Sequence, residues 1–98
     1  MENEKITLFV KIVAKGEKTD LVKTELLKLR NSTRTEDGCI NIDLHQNNQN
    51  ENIFWIYENW ESRELMQIHR QSAHLAEYIK ATNGAVQEFL VNEMKEIE

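Results

Sequence analysis

The stretch FWIYENWESRELMQIHRQSAH, residues 54–74, holds Glu58, Trp60, His69 and His74 in close succession. These are side chains that can do chemistry. Imidazole titrates close to neutrality, so it can take a proton from a phenolic hydroxyl and later return it. Glu58 could share that work, because burial raises the pKa of a carboxyl group. Trp60 offers a flat apolar wall with a single N–H donor. Each also has a plainer explanation. A tryptophan at a strand end can simply close a core, and a histidine near a helix C-terminus meets the helix dipole. Glu58 could be an exposed strand carboxylate, and Met66, at helical spacing, a core residue.

Other chemistries find less support. Five residues along an uninterrupted helix rotate by about 140°, so His69 and His74 would not share a face. Two nitrogens also fall short of the usual three or four metal ligands. His45 is a candidate third ligand that nothing positions, and no metal site is expected. Ser72 lies between the histidines without the Gly-x-Ser-x-Gly elbow of a hydrolase, and Cys39 has no evident partner.

Composition narrows the class further. The 98 residues support one hydrophobic core, and so one domain over residues 1–98. At 40% apolar and 30% charged the chain reads as an ordinary globular protein. A net charge of −5 with no basic cluster argues against nucleic acid as a partner. Cys39 is the only cysteine, which excludes an internal disulfide and Cys-rich zinc sites. No long apolar run predicts a membrane span, and the polar start MENEKIT lacks the apolar core of a signal peptide. A reducing cytoplasm is the expected compartment.

The elements that must position the reactive groups follow from periodicity. Residues 5–14 alternate Ile6, Leu8, Val10 and Ile12 against Thr7, Phe9, Lys11 and Val13, which predicts a strand with one wholly apolar face. Gly16 is free to take a positive φ in the turn that follows. Residues 19–35 switch to helical period, with Val22, Leu26 and Leu29 on one stripe and Thr19 as a candidate N-cap. Glu36-Asp37-Gly38 closes this element, with the glycine as its stop. Residues 39–47 alternate Ile40, Ile42 and Leu44 against polar partners. Residues 52–60 form the most strand-like run, joined to the previous one by the polar link NNQNEN. Phe54, Ile56, Glu58 and Trp60 then share one side, and Trp55, Tyr57 and Asn59 the other.

Glu61 and Ser62 open a second helix, Gln71-Ser72 breaks it, and Ser72 could cap a further piece carrying Leu75, Tyr78 and Ile79. The Asn83-Gly84 turn precedes a tail read as a strand with Phe89 and Val91. The order β-α-β-β-α-(α)-β predicts an α+β, ferredoxin-like fold: a four-stranded antiparallel sheet with helices on one face. The uncovered face would expose Phe9, Val13, Trp55 and Tyr57, which suggests a homodimer with sheets packed face to face. Helix 2 and its continuation would roof a space with Trp60 at its mouth and both histidines at the break.

Taken together, GCINIDLH at 38–45, FWIYENWES at 54–62 and HRQSAH at 69–74 resemble the antibiotic biosynthesis monooxygenase (ABM) domain family. The resemblance spans nearly the whole chain. It implies a dimeric α+β barrel in which each subunit has a pocket between its own sheet and helices. It also implies oxidation of a small quinol or polycyclic aromatic substrate by O2, with neither metal nor organic cofactor. The matching positions are His69, His74 and Glu58 as acid–base residues. Trp60 and Phe54 would wall the substrate pocket, with Ile56 and Met66 beside them. Haem-degrading relatives use an asparagine on the first strand, and none occurs there in this chain. Two alternatives stay open: a non-catalytic dimeric small-molecule binding domain, and an acid–base isomerase of a small hydroxy-carbonyl compound.

Overall fold

A computed structural model describes residues 4–98. Residues 1–3, on which the expectation about a signal peptide partly rests, lie outside the described residues. The elements are β1 (Ile6–Ala14), α1 (Thr19–Thr33), β2 (Cys39–Gln46), β3 (Ile53–Trp60), α2 (Arg63–Arg70), α3 (Ala73–Ala81) and β4 (Val86–Met94). Their order along the chain is the one the periodicities predict, and the tail is indeed a strand.

The four strands form one sheet in the order β2-β3-β1-β4, with every neighbouring pair antiparallel. This is the ferredoxin-like arrangement. Register decides which side chains reach the core. Ile6, Leu8, Val10 and Ile12 lie opposite Trp60, Glu58, Ile56 and Phe54, and all eight are buried. Val22, Leu26 and Leu29 of α1 close over them. The alternation of β1 and β3 therefore translates directly into sidedness.

Three local expectations are corrected. Thr19 is not an N-cap: Gly16–Lys18 form a 3-10 turn that runs straight into α1, and Thr19 already has helical torsions. A side-chain cap needs an extended residue before the helix, and the turn leaves none. Ile40 does not join Ile42 and Leu44 on the inner face. A register shift lies between Cys39 and Asn41, so Cys39 takes the place opposite Trp60 and Ile40 is left 52% exposed. Val13 is half-buried rather than exposed, because the edge strand β4 covers it with Glu88.

The hairpin link earns its conformation from asparagine side chains. Asn47 Oδ1 accepts the backbone N–H groups of Gln49 and Asn50, both at 2.8 Å, and Asn50 Oδ1 accepts that of Asn52 at 3.1 Å. The helix break is equally local. Ser62 Oγ accepts the N–H of Leu65 at 3.2 Å, and Ser72 Oγ accepts that of Leu75 at 3.3 Å, so α2 and α3 are separately capped helices.

The outer sheet face is uncovered by any helix. Phe9 and Tyr57 meet edge to face at 5.3 Å, and Lys11 lies over Trp55 at 6.0 Å. A polar ladder runs beside them, from Thr7 through Asn59 and Asn41 to Asp43. Among the described residues no helix is long and apolar enough to cross a membrane.

Gly38 joins α1 to the sheet with φ +88°, and a Cβ there would stand 2.6 Å from both Cβ and Cδ1 of Leu65 on α2. Gly84 has a similar φ of +82° but open space around it. Gly38→Ala should therefore cost about 3 kcal/mol, combining left-handed strain with overpacking, against about 1 kcal/mol for Gly84→Ala. Urea unfolding of both variants checks this, and equal losses would mean that Leu65 yields without cost.

Candidate active site

A cavity of about 770 Å³ lies between the inner sheet face and the helices. That is ample for a small aromatic molecule. Its walls are mainly aliphatic: Val10 and Ile12 of β1, Ile56 of β3, Leu26 of α1, Met66 of α2 and Leu75 of α3. Four titratable side chains also line it: Glu58, His69, Arg70 and Tyr78. Exposed Ile79 and Phe89 form part of its rim.

Of the residues singled out by sequence, Glu58, His69, Ile56 and Met66 reach this cavity. Trp60, Phe54 and His74 do not line it. Trp60 and Phe54 are fully buried on the inner face, packed into the core instead of forming pocket walls. Trp60 is the last residue of β3 and α2 starts directly after it, whereas Phe54 lies at the other end of the strand, opposite Ile12 in the core. Trp60 still governs the site. Its Nε1–H donates to Glu58 Oε1 at 2.7 Å, and its ring stacks on His69 with centroids 4.8 Å apart. The indole thus orients one cavity carboxyl and one cavity imidazole from behind.

The two histidines converge, contrary to the rotation expected of a continuous helix. The break at Ser72 redirects the chain, and the two rings lie 6.0 Å apart. Both reach one oxygen. His69 Nδ1 lies 2.7 Å and His74 Nε2 2.5 Å from Glu36 Oε2. A carboxylate oxygen can only accept, so each facing nitrogen carries its proton toward Glu36. In the neutral form of His69 this leaves Nε2 as the nitrogen with a lone pair, on a side chain that lines the cavity. His74 acts at one remove, holding Glu36 in place. His45 is far from this cluster in the fold: it pairs with Trp55 and shares the outer face.

Sequence reasoning missed Glu36 and Tyr78. Glu36 looked like part of a helix stop. The pairing of Cys39 with Trp60 puts it at the α2 end of the sheet, which is where its position could have been sought. Tyr78 read as one apolar residue on a helical stripe. Its hydroxyl is buried without a hydrogen-bond partner among the described residues. Thr82 lies nearby, but its own hydroxyl donates to the backbone carbonyl of Tyr78 at 2.8 Å. Burial pushes the phenol up to about 12, so it stays a neutral O–H donor at ordinary pH.

Glu58 is pushed above the usual carboxylate range, chiefly by burial; the Trp60 N–H and the neighbouring His69 and Arg70 oppose the shift. Cys39 is also pushed up, to about 11, by burial first and then by the Glu58 and Glu36 carboxylates. A thiol so placed stays protonated and is a poor nucleophile. What the site offers is proton transfer within an apolar chamber: an oriented imidazole, a carboxyl with raised affinity for its proton, and an unpartnered phenol.

With the fold and this geometry established, comparison identifies the class. The sequence matches the antibiotic biosynthesis monooxygenase (ABM) family over residues 5–90, and the chain belongs to that family. No curated protein matches it. Among solved structures, PA3566 from Pseudomonas aeruginosa superposes with a TM-score of 0.93 at 21% identity, covering 100% of this chain and 99% of that one. Rv0793 from Mycobacterium tuberculosis gives 0.88 at 19% identity, with 97% of each chain covered. A structure described as an antibiotic biosynthesis monooxygenase gives 0.88 at 23% identity, covering 95% of this chain and 99% of that one. At these identities the likeness is one of fold.

The raised Glu58 carboxyl has a consequence for stability. Its unfolded counterpart ionises near its ordinary value of 4.5, while the folded protein still holds the proton. Above that pH the native state binds more protons than the unfolded one, so stability falls as pH rises until the folded group also ionises. Glu58→Gln keeps an oxygen for the Trp60 N–H and removes the titration. The variant should gain stability relative to wild type as pH is raised from about 4.5 toward neutrality. Urea unfolding at several pH values measures the difference, and a constant gap would mean that Glu58 is not perturbed.

Proposed function

We propose that the chain is a cofactor-independent monooxygenase acting on a small hydroxylated aromatic of the quinol class, with His69 as its base. The observation that carries this reading is the Glu36–His69 pair at the wall of the apolar cavity, 2.7 Å between carboxylate and imidazole, with Nε2 left free. Membership of the ABM family supports it.

Ground-state oxygen is a triplet and reacts slowly with neutral closed-shell organic molecules. A hydroquinone that has lost a proton is electron-rich enough to react directly. In the proposed sequence His69 Nε2 takes the phenolic proton, and Glu36 stabilises the imidazolium that forms. The anion passes one electron to oxygen, giving superoxide and a ring radical. These combine through a new C–O bond to a peroxide. The peroxide takes back the proton held on His69 Nε2, and cleavage of the O–O bond with loss of the hydrogen on the same carbon leaves a carbonyl and releases water. Glu58 in its protonated form is a donor for the developing anion, and the dry walls strengthen that interaction. Trp60 has no contact with substrate in this scheme; it sets the angle of His69 and the position of Glu58.

The test is oxygen uptake with a panel of benzene- and naphthalene-type hydroquinones. His69→Ala should reduce kcat by on the order of 100-fold or more, with aromatic binding retained. Equal rates for wild type and variant across the panel would refute the base assignment. Turnover that persists without oxygen would instead identify a proton-transfer isomerase using the same groups, and tight binding without any turnover a binding domain.

We also infer that two copies associate through the outer sheet face. Phe9, Trp55 and Tyr57 are each about two-fifths exposed there, beside Leu90 and Met94 of β4. A contiguous apolar area of this kind favours a partner surface of like character. Sedimentation should show a dimer at micromolar concentration and dissociation for Tyr57→Lys. A wild-type monomer would contradict it.

A further inference from the structure

The Glu36 cluster can hold more than protons. Glu36 Oε2, His69 Nδ1 and His74 Nε2 lie within 4.8 Å of one another and come from three different parts of the chain: the loop after α1, the end of α2 and the first turn of α3. They are largely shielded from water, with side-chain exposures of 14, 9 and 25%. Among the described residues Glu36 has no lysine or arginine ion-pair partner, and its partners are the two imidazoles. The stacked Trp60 ring fixes His69 from one side, and the capped break at Ser72 fixes where α3 starts. Ligands held in place before binding lose little freedom on binding.

We propose that Glu36, His69 and His74 form a site for one divalent transition-metal ion of the zinc or ferrous class. Two imidazole nitrogens and one carboxylate oxygen are a donor set those ions take up, with at least one coordination position left for water. Magnesium and calcium seek all-oxygen sites and would be poor occupants. Bonds of about 2.0–2.1 Å in a tetrahedral site put neighbouring ligand atoms about 3.3 Å apart. The carboxylate oxygen, at 2.7 and 2.5 Å from the two nitrogens, must therefore withdraw by more than half an ångström. Rotation about the Glu36 side chain, which sits on a loop, provides that. The cation replaces the two protons now pointing at Oε2.

Occupancy has a chemical consequence that rests on the proposed function, although the site itself does not. A neutral imidazole ligated through Nδ1 carries its proton on Nε2. Metal binding would thus turn the free lone pair of His69 into an N–H donor and remove the proposed base. The ion is an inhibitor of the oxygenation and not its cofactor.

The test uses chelator-treated, substrate-free protein titrated with Co2+, followed by visible absorption, and then with Zn2+. One equivalent of cobalt should produce a visible band, and one equivalent of zinc should abolish it. His74→Ala and Glu36→Gln should each weaken binding at least tenfold, on the scale of losses seen when metal-site residues are altered. His45→Ala, on the opposite sheet face, should bind as wild type does. No uptake of either ion by wild type overturns the proposal, as does binding that survives both substitutions or is lost with His45. Circular dichroism of each variant separates lost binding from lost fold. Because binding is read without substrate, metal uptake by a protein that consumes no oxygen supports the site and counts only against the oxygenase reading.

Discussion

One carboxylate oxygen, Glu36 Oε2, organises the functional end of this molecule. It receives two imidazoles from separate helices and so decides which nitrogen of each carries a proton. Several unrelated features of the chain are needed to bring it there. The β2–β3 pairing carries residues 36–38 to the end of the sheet where α2 begins. Gly38 lets the backbone pass within contact of Leu65. Ser72 interrupts what would be one helix, so that His74 turns back toward His69. The buried indole of Trp60 then stacks on the ring that faces the cavity and donates to Glu58. A hydrogen bond of this kind contributes modestly to stability but strongly to specificity of protonation.

The same sheet separates two kinds of surface. Its inner face is apolar except where Glu58 enters, and desolvation there raises the affinity of that carboxyl for its proton. Its outer face carries aromatic side chains and a polar ladder, with no titrating group aimed into an enclosed space. Tyr78 extends the inner chemistry from the helical layer. Its hydroxyl is buried with no partner among the described residues, so a molecule in the cavity reaches it only if the side chain moves.

Much of the fold could be read from side-chain period alone. The strict alternation in β1 and β3 gave both element type and sidedness, because one slip would have exposed Val10 and Ile56 and buried Lys11 and Trp55. The Ser72 cap was legible too, and with it the expectation that both histidines sit at the break. The rotation argument that told against a shared metal held only for a continuous helix, and the break brings the two rings to one carboxylate instead of both into the cavity. Ile40 failed for a related reason: a bulge adds a residue without leaving a mark in the alternation. Trp60 and Phe54 were placed on the correct face but one layer too close to the cavity, since periodicity gives direction and not depth. Glu36 and Tyr78 were not found because a glutamate at a helix end and a tyrosine on a helical stripe are common in positions without chemistry. Only tertiary contacts distinguish these two.

The central claim is that Glu36 holds the His69 proton on Nδ1 and leaves Nε2 unprotonated. Long-range proton–nitrogen NMR correlation on metal-free, nitrogen-labelled protein near neutral pH reads that tautomer directly. The account predicts that the neutral form of His69 carries its proton on Nδ1, and that Glu36→Gln shifts it toward the other tautomer. A His69 ring with its proton on Nε2, or one whose tautomer ignores the Glu36 substitution, would contradict it.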